Sequence, residues 1–324
     1  MRIERLPALL AALALLPASF ALAACGGDDD EGGGGGGGGG QSAIQSNPDN
    51  GKTTIVVGSK NFTEQKVLGE IYAQALAAAG YKVKKELNLG DEKVQQKALE
   101  TGDVDAAPEY TGTALTSLFG VSSDDIPKDP QQAYSEAKSD YAKKGLTAYP
   151  PTPYTNSNEV GVTQKTADEQ GLKKISDLKG KSKKLTLYGT PECRQRNDCL
   201  LGLEKVYGLK FKKFVPVAID LRHEVLEKGQ ADVSIVFTTD PQVKRNHEVL
   251  LDDDKQMFPP YNVTFVVRDK TAEQAGPDLG NVVGQAQSGL TDAAMSELNA
   301  RVDLDKKTPS QVASEYLKET GLVQ

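Results

Sequence analysis

Leu99-Glu100-Thr101-Gly102, followed by Asp105 and Tyr110, is echoed later in the chain by Leu226-Glu227-Lys228-Gly229, with Asp232 in the place of Asp105 and Phe237 in the place of Tyr110. Gly80-Tyr81-Lys82 and Gly208-Leu209-Lys210 match in the same way. Each echo has a strand before it. Ile55-Val56-Val57-Gly58 precedes the first and Leu185-Thr186-Leu187-Tyr188-Gly189 the second. Strand then alternates with helix in both copies, which implies parallel strands joined by crossovers. An aromatic residue stands just past an equivalent strand in each half. Ligands of open α/β sheets bind outside those carboxyl ends. Two such halves facing one another predict a cleft with rings on both walls.

Working outward, Asn61 and Glu64 have the spacing of a capping box, opening a helix through about Ala79. Val67, Leu68, Ile71, Ala75 and Leu76 share one of its faces. Asp91 to Glu100 reads as a second helix and Val104 to Ala107 as a third strand. Thr190-Pro191 predicts a helix start with Pro at its first position, running to about Tyr207. Pro-rich stretches, Pro150-Pro151-Thr152-Pro153 to Asn158 and Phe258-Pro259-Pro260-Tyr261, suit crossings between halves. Val263 onward is expected to return to the first half, with Thr291 capping a helix. The expected organisation is therefore an α/β protein of two discontinuous lobes, residues 53–155 plus 262–324 and residues 156–261, around a central cleft. About 270 residues are too many for one typical core.

The N-terminus has a different composition. Arg2 and Arg5 precede an apolar run from Leu6 to Ala24, the pattern of an export signal over residues 1–24. Leu22-Ala23-Ala24-Cys25 resembles the bacterial lipobox, in which the cysteine is acylated. Residues 25–52, glycine-rich with one acidic cluster, cannot bury apolar surface and read as a flexible tether. The expected location is therefore the extracytoplasmic face of the cell membrane, reached through a lipid on Cys25. Loss of the signal removes two arginines and one glutamate and moves the net charge from −7 to −8. That acidic balance argues against nucleic acid.

Chemistry-bearing motifs are few. The chain has no Gly-x-Ser-x-Gly elbow, His-Glu-x-x-His, phosphate loop or dinucleotide fingerprint, so it is not expected to be an enzyme, nor to need a cofactor or metal. Cys193 and Cys199 read as a disulfide in an exported chain, since a zinc site wants four ligands. His223 and His247 have polar neighbours and read as surface residues.

Pro108-Glu109-Tyr110-Thr111-Gly112-Thr113, with Gly58-Ser59-Lys60-Asn61-Phe62-Thr63-Glu64-Gln65 and Phe237-Thr238-Thr239-Asp240, resembles the substrate-binding proteins of osmoprotectant (glycine betaine, choline, carnitine) ABC importers. The resemblance runs from about Ile55 to the C-terminus. It implies a type II periplasmic-binding-protein fold that closes over its ligand without catalysis and hands it to a membrane permease and ATPase. It also implies a monomer holding a quaternary ammonium in a box of tyrosines. Carried onto this chain, the box contains Tyr110 and Tyr261, with Thr113 beside them. Lys60, Glu192 and Arg196 are the polar and charged partners, with Arg196 and Lys60 expected to hold a ligand carboxylate. Two positions depart from the pattern: Asn158 and Phe237 stand where tyrosines are expected. Tyr188 or Tyr154 is expected to restore the missing ring, and Asn61 and Asn156 are further candidate contacts. An incomplete box leaves room for another cation, such as ergothioneine, or for a ligand-sensing surface lipoprotein.

Overall fold

Asp105 and Asp232, matched in the sequence, do the same work in space. The Asp105 carboxylate accepts from the Val56 N–H (2.9 Å) and that of Asp232 from the Thr186 N–H (2.7 Å). The backbone N–H groups of the two aspartates donate to the same residues' carbonyls, Val56 at 2.8 Å and Thr186 at 3.3 Å. Each aspartate thus ties the entry of its strand to the neighbouring strand.

The computed structural model describes residues 42–122 and 125–324. The expected signal, Cys25 and most of the tether lie outside them. Among the described residues ten strands form two sheets: β1 (Thr54–Gly58), β2 (Lys82–Glu86), β3 (Ala106–Tyr110), β4 (Leu146–Ala148), β5 (Asn158–Thr163), β6 (Thr186–Gly189), β7 (Lys213–Pro216), β8 (Val233–Phe237), β9 (Glu248–Leu251) and β10 (Val263–Arg268). The sheet orders are β2-β1-β3-β10-β4 and β7-β6-β8-β5-β9. In the first, β1 pairs parallel with β2 and β3, and β10 pairs antiparallel with β3 and β4. In the second, β6 pairs parallel with β7 and β8, and β5 pairs antiparallel with β8 and β9. The two sheets therefore have one topology, and Tyr110 and Phe237 end equivalent strands. β10 is the return predicted from Val263. The chain crosses between sheets twice, and the crossings meet in an antiparallel bridge between Thr155 and Asn262.

Helix α1 (Thr63–Ala78) buries the predicted apolar face, Val67, Leu68, Ile71, Ala75 and Leu76. Helix α2 (Glu92–Thr101) is capped by the Asp91 carboxylate and ended by Gly102 at φ 85°, a left-handed position that favours glycine. Thr291 caps the helix Asp292–Asp303.

Four local expectations are corrected. No side chain caps α1, which starts at Thr63; Glu64 turns inward instead of closing a box with Asn61. The helix expected from Thr190 to Tyr207 is a 3-10 turn, Pro191–Gln195, and a separate helix, Leu200–Tyr207. The Cys193–Cys199 disulfide ties the turn to the start of the helix. Residues 44–52, counted with the tether, dock on the body. Ile44 is 9% exposed, its N–H donates to the Leu322 carbonyl (2.9 Å), and the Asn50 amide donates to the Ala79 carbonyl (2.9 Å). One apolar side chain and satisfied amides are enough to hold a segment that composition reads as loose. Finally, His223 is 4% exposed, whereas His247 is exposed as expected.

Candidate functional site

The loops after β1, β3, β6 and β8 converge with the second crossing on one cleft. β1 delivers Lys60, Asn61 and Phe62; β3 delivers Tyr110 and Thr113; β6 delivers Thr190 and Glu192; β8 delivers Phe237; the crossings add Asn156, Asn158 and Tyr261. Gly112 lets the turn after Tyr110 lie directly against the second crossing. A Cβ there would stand 2.7 Å from both Pro259 Cγ and the Pro260 carbonyl oxygen.

Four rings line the cleft: Tyr110, Phe237, Tyr261 and Phe62. Phe62 is the ring that sequence reasoning missed. It lies 6.2 Å from Tyr110 at an interplanar angle of 20°, and 5.5 Å from Phe237 at 53°. Tyr188 and Tyr154, expected to restore the box, are not among the lining residues. Tyr188 packs against the buried cluster of Val225, Leu226, Ala231 and Val236. Tyr154 is buried with its hydroxyl on Glu64 (3.1 Å). The signal for Phe62 was its place in the loop after β1, beside Lys60.

Asn158 supports the wall as a polar residue instead of a ring. Its amide donates to the Tyr261 hydroxyl (3.1 Å) and approaches the Asp198 carboxylate at 3.4 Å. The Tyr261 hydroxyl in turn donates to Asp198 (2.6 Å). A buried carboxylate needs such partners.

The cleft's cations are already engaged. Arg196 gives Nε and one terminal nitrogen to the two Asp198 oxygens (2.8 and 2.6 Å), and its other terminal nitrogen stands 3.7 Å from Glu92. Lys60 pairs with buried Glu109 and stands 4.6 Å from the Tyr110 ring centroid. Arg222 pairs with Asp240 and stands 4.3 Å from the Phe237 centroid. Glu192 and Arg196 do not share a helix: the 3-10 turn Pro191–Gln195 ends before Arg196. Glu92, Arg222 and Asp240 were invisible in the sequence, since their partners lie in other loops, and Asp198 was missed although it stands two residues from Arg196.

These pairs set the electrostatics. Burial opposes the charge of Asp198, but Arg196 holds its carboxyl below the ordinary range. Burial also opposes the charge of Arg196, and Asp198 more than offsets it, so the guanidinium titrates above its usual value. Glu92 is held low against burial by Arg196 and Lys60. Asp240 is held low against burial by Arg222 and His223. Glu109 goes the other way, because its burial outweighs Lys60. The lining presents Lys60, Arg196 and Arg222 against Asp91, Glu92 and Glu192, with Glu109, Asp198 and Asp240 behind the three cations. The balance is acidic.

Residues 53–319 match the substrate binding domain of ABC-type glycine betaine transport systems. The chain is 33% identical over 281 residues to a glycine-betaine-binding protein of Pseudomonas aeruginosa, covering 83% of this chain and 89% of that one. It is 30% identical over 276 residues to a carnitine transport binding protein of Listeria monocytogenes, covering 84% and 88%. A solved structure described as a glycine betaine/carnitine/choline ABC transporter superposes with a TM-score of 0.67 at 27% identity, covering 83% of this chain and 99% of that one. Profile, sequence and two-sheet architecture agree, and the chain belongs to the substrate-binding proteins of ABC-type glycine betaine transport systems.

Proposed function

We propose that the four-ring cleft captures a quaternary-ammonium solute and presents it to an ABC permease and its ATPase, without chemical turnover. A quaternary ammonium has no N–H to donate, so ring faces are its natural partners. Each is worth about 0.5–2 kcal/mol when desolvated, and several together support micromolar binding after the entropic cost of capture. The observation that carries the reading is the meeting of Phe62, Tyr110, Phe237 and Tyr261 at one opening.

The charge balance narrows the ligand. With Arg196, Lys60 and Arg222 each matched to a carboxylate, an incoming ligand carboxylate must displace an existing partner. Glu92 and Glu192 also face it. This favours a cation with a neutral tail, such as choline, over zwitterionic glycine betaine or carnitine. Calorimetric titration with choline, glycine betaine, carnitine and ergothioneine tests the reading. Choline is expected to bind tightest. Tighter glycine betaine binding overturns the charge argument, and binding of none at millimolar concentration overturns the assignment.

The remaining parts of the reading rest on sequence. A lipid on Cys25 and the glycine-rich stretch after it would keep a monomeric receptor beside its permease on the outer face of the membrane, with lobes divided near residues 155 and 261. Metabolic labelling with a fatty-acid analogue, lost in Cys25→Ser, tests the anchor.

A further inference from the structure

Glu64 lies in the first turn of α1, 2% exposed. Among the described residues it makes no ion pair. Five neutral donors converge on it instead. One oxygen accepts from the Tyr110 hydroxyl (2.8 Å), the Tyr154 hydroxyl (3.1 Å) and the Asn156 amide (2.9 Å). The other accepts from the Thr239 hydroxyl (2.6 Å) and the Asn299 amide (3.0 Å). These donors come from the end of β3, the first crossing, the loop after β8 and the helix Asp292–Asp303. Only Thr239 follows a strand of the second sheet.

That geometry does two things at once. Glu64 fixes the hydroxyl of Tyr110, a ring of the cleft, and it receives a hydroxyl from the opposite half. A second link runs beside it: the Asn299 amide donates to the Thr239 carbonyl (3.2 Å). Further along the same seam, Gln242 donates to Asp303 (2.9 Å). A buried carboxylate is costly unless its lone pairs are met, so the closed arrangement is favoured by the last donor it gains.

We propose that Glu64 is a positioning residue that couples closure of the two halves to the geometry of the ring cleft, with Thr239 as its cross-cleft latch. This rests on the cleft being the ligand site. When the halves part, Thr239 leaves and water takes its place; the Tyr110 bond stays. The latch therefore acts on how long ligand is held more than on how fast it arrives.

The test is stopped-flow kinetics with choline, together with solution scattering of the ligand-free protein. Thr239→Val is expected to raise the dissociation rate about fivefold, the scale of one hydrogen bond, and to leave association near wild type. Thr239→Ser, which keeps the hydroxyl, restores the slow rate. Glu64→Gln, similar in shape, dissociates faster still. Wild-type dissociation from both Thr239→Val and Glu64→Gln, while Tyr110→Ala loses binding, overturns the latch and leaves the cleft standing. If the wild type binds none of the quaternary-ammonium solutes, the cleft reading falls by itself. The latch is then judged by scattering alone: a larger radius of gyration for ligand-free Thr239→Val supports it, and an unchanged radius overturns it.

Discussion

The two sheets share one topology but differ in what they add to the anchor of their terminal rings. At the end of β3, Tyr110 is held by its hydroxyl on Glu64, a carboxylate met by neutral donors. At the end of β8, Phe237 has no hydroxyl. There the backbone N–H donates to Asp240 (2.7 Å), and Asp240 also binds Arg222 and His223. His223 is a bridge: Nε2 meets Asp240 (2.9 Å) and Nδ1 meets Glu248 (2.8 Å). Tyr110 has a backbone anchor of the same kind, its N–H donating to Glu109 (2.7 Å), which pairs with Lys60; its hydroxyl on Glu64 is an addition that Phe237 cannot make. The lesson is that an equivalent position in a repeated fold keeps its backbone anchor and adds a side-chain anchor only where the ring has a hydroxyl to give.

The largest expected effect breaks the Phe237 side. Asp240→Ala strands Arg222 and removes a partner from His223, which costs about 3–5 kcal/mol on the scale of broken buried pairs; urea unfolding reads it. A cost near zero would mean that the cluster is incidental. Removing rings comes next. Tyr110→Ala and Phe237→Ala should each weaken ligand binding at least about tenfold, or about 1.4 kcal/mol, and a variant that keeps full affinity would make the box one-sided. Tyr110→Phe sharpens the contrast. It removes only the hydroxyl on Glu64 and should cost about 0.5–1.5 kcal/mol of stability.

The halves should also differ in pH response. Burial opposes the charge of His223, but Asp240 and Glu248 more than offset it and raise its pKa above the usual 6.5. Arg222 opposes it from the same cluster, and Glu248 also accepts from Asn246 (3.1 Å). The stabilisation is therefore fully present below the unfolded value and is lost as pH rises through the raised folded value. A melting-temperature profile should fall over that interval, and His223→Gln should flatten it. Smallest are the matched aspartates: Asp105→Asn and Asp232→Asn should each cost about 1 kcal/mol or less. Unequal costs would show that the sequence echo is stronger than the physical one.

The echo Leu99–Gly102 against Leu226–Gly229, the aspartates behind it, the return at Val263 and the rings Tyr110, Phe237 and Tyr261 were legible along the chain. All but Tyr261, which the family resemblance supplied, depend on local spacing or on strand alternation, and spacing along the backbone fixes which residues end a strand. The docking of residues 44–52 was not legible, because a single isoleucine and a few amides carry it. Nor was the fourth ring, Phe62, or the partner of any cleft cation. Arg196 looked like a helical neighbour of Glu192, yet it folds onto Asp198 because the disulfide-linked turn interrupts the helix.

The sequence by itself determined the strand–helix alternation, its echo and the residues that end equivalent strands, since hydrophobic period and turn residues act over short range. Tertiary structure alone decided which charges cancel and where Glu64 points. A buried carboxylate finds its donors through space, from segments as distant in the chain as Asn156, Thr239 and Asn299, and no local pattern records that convergence.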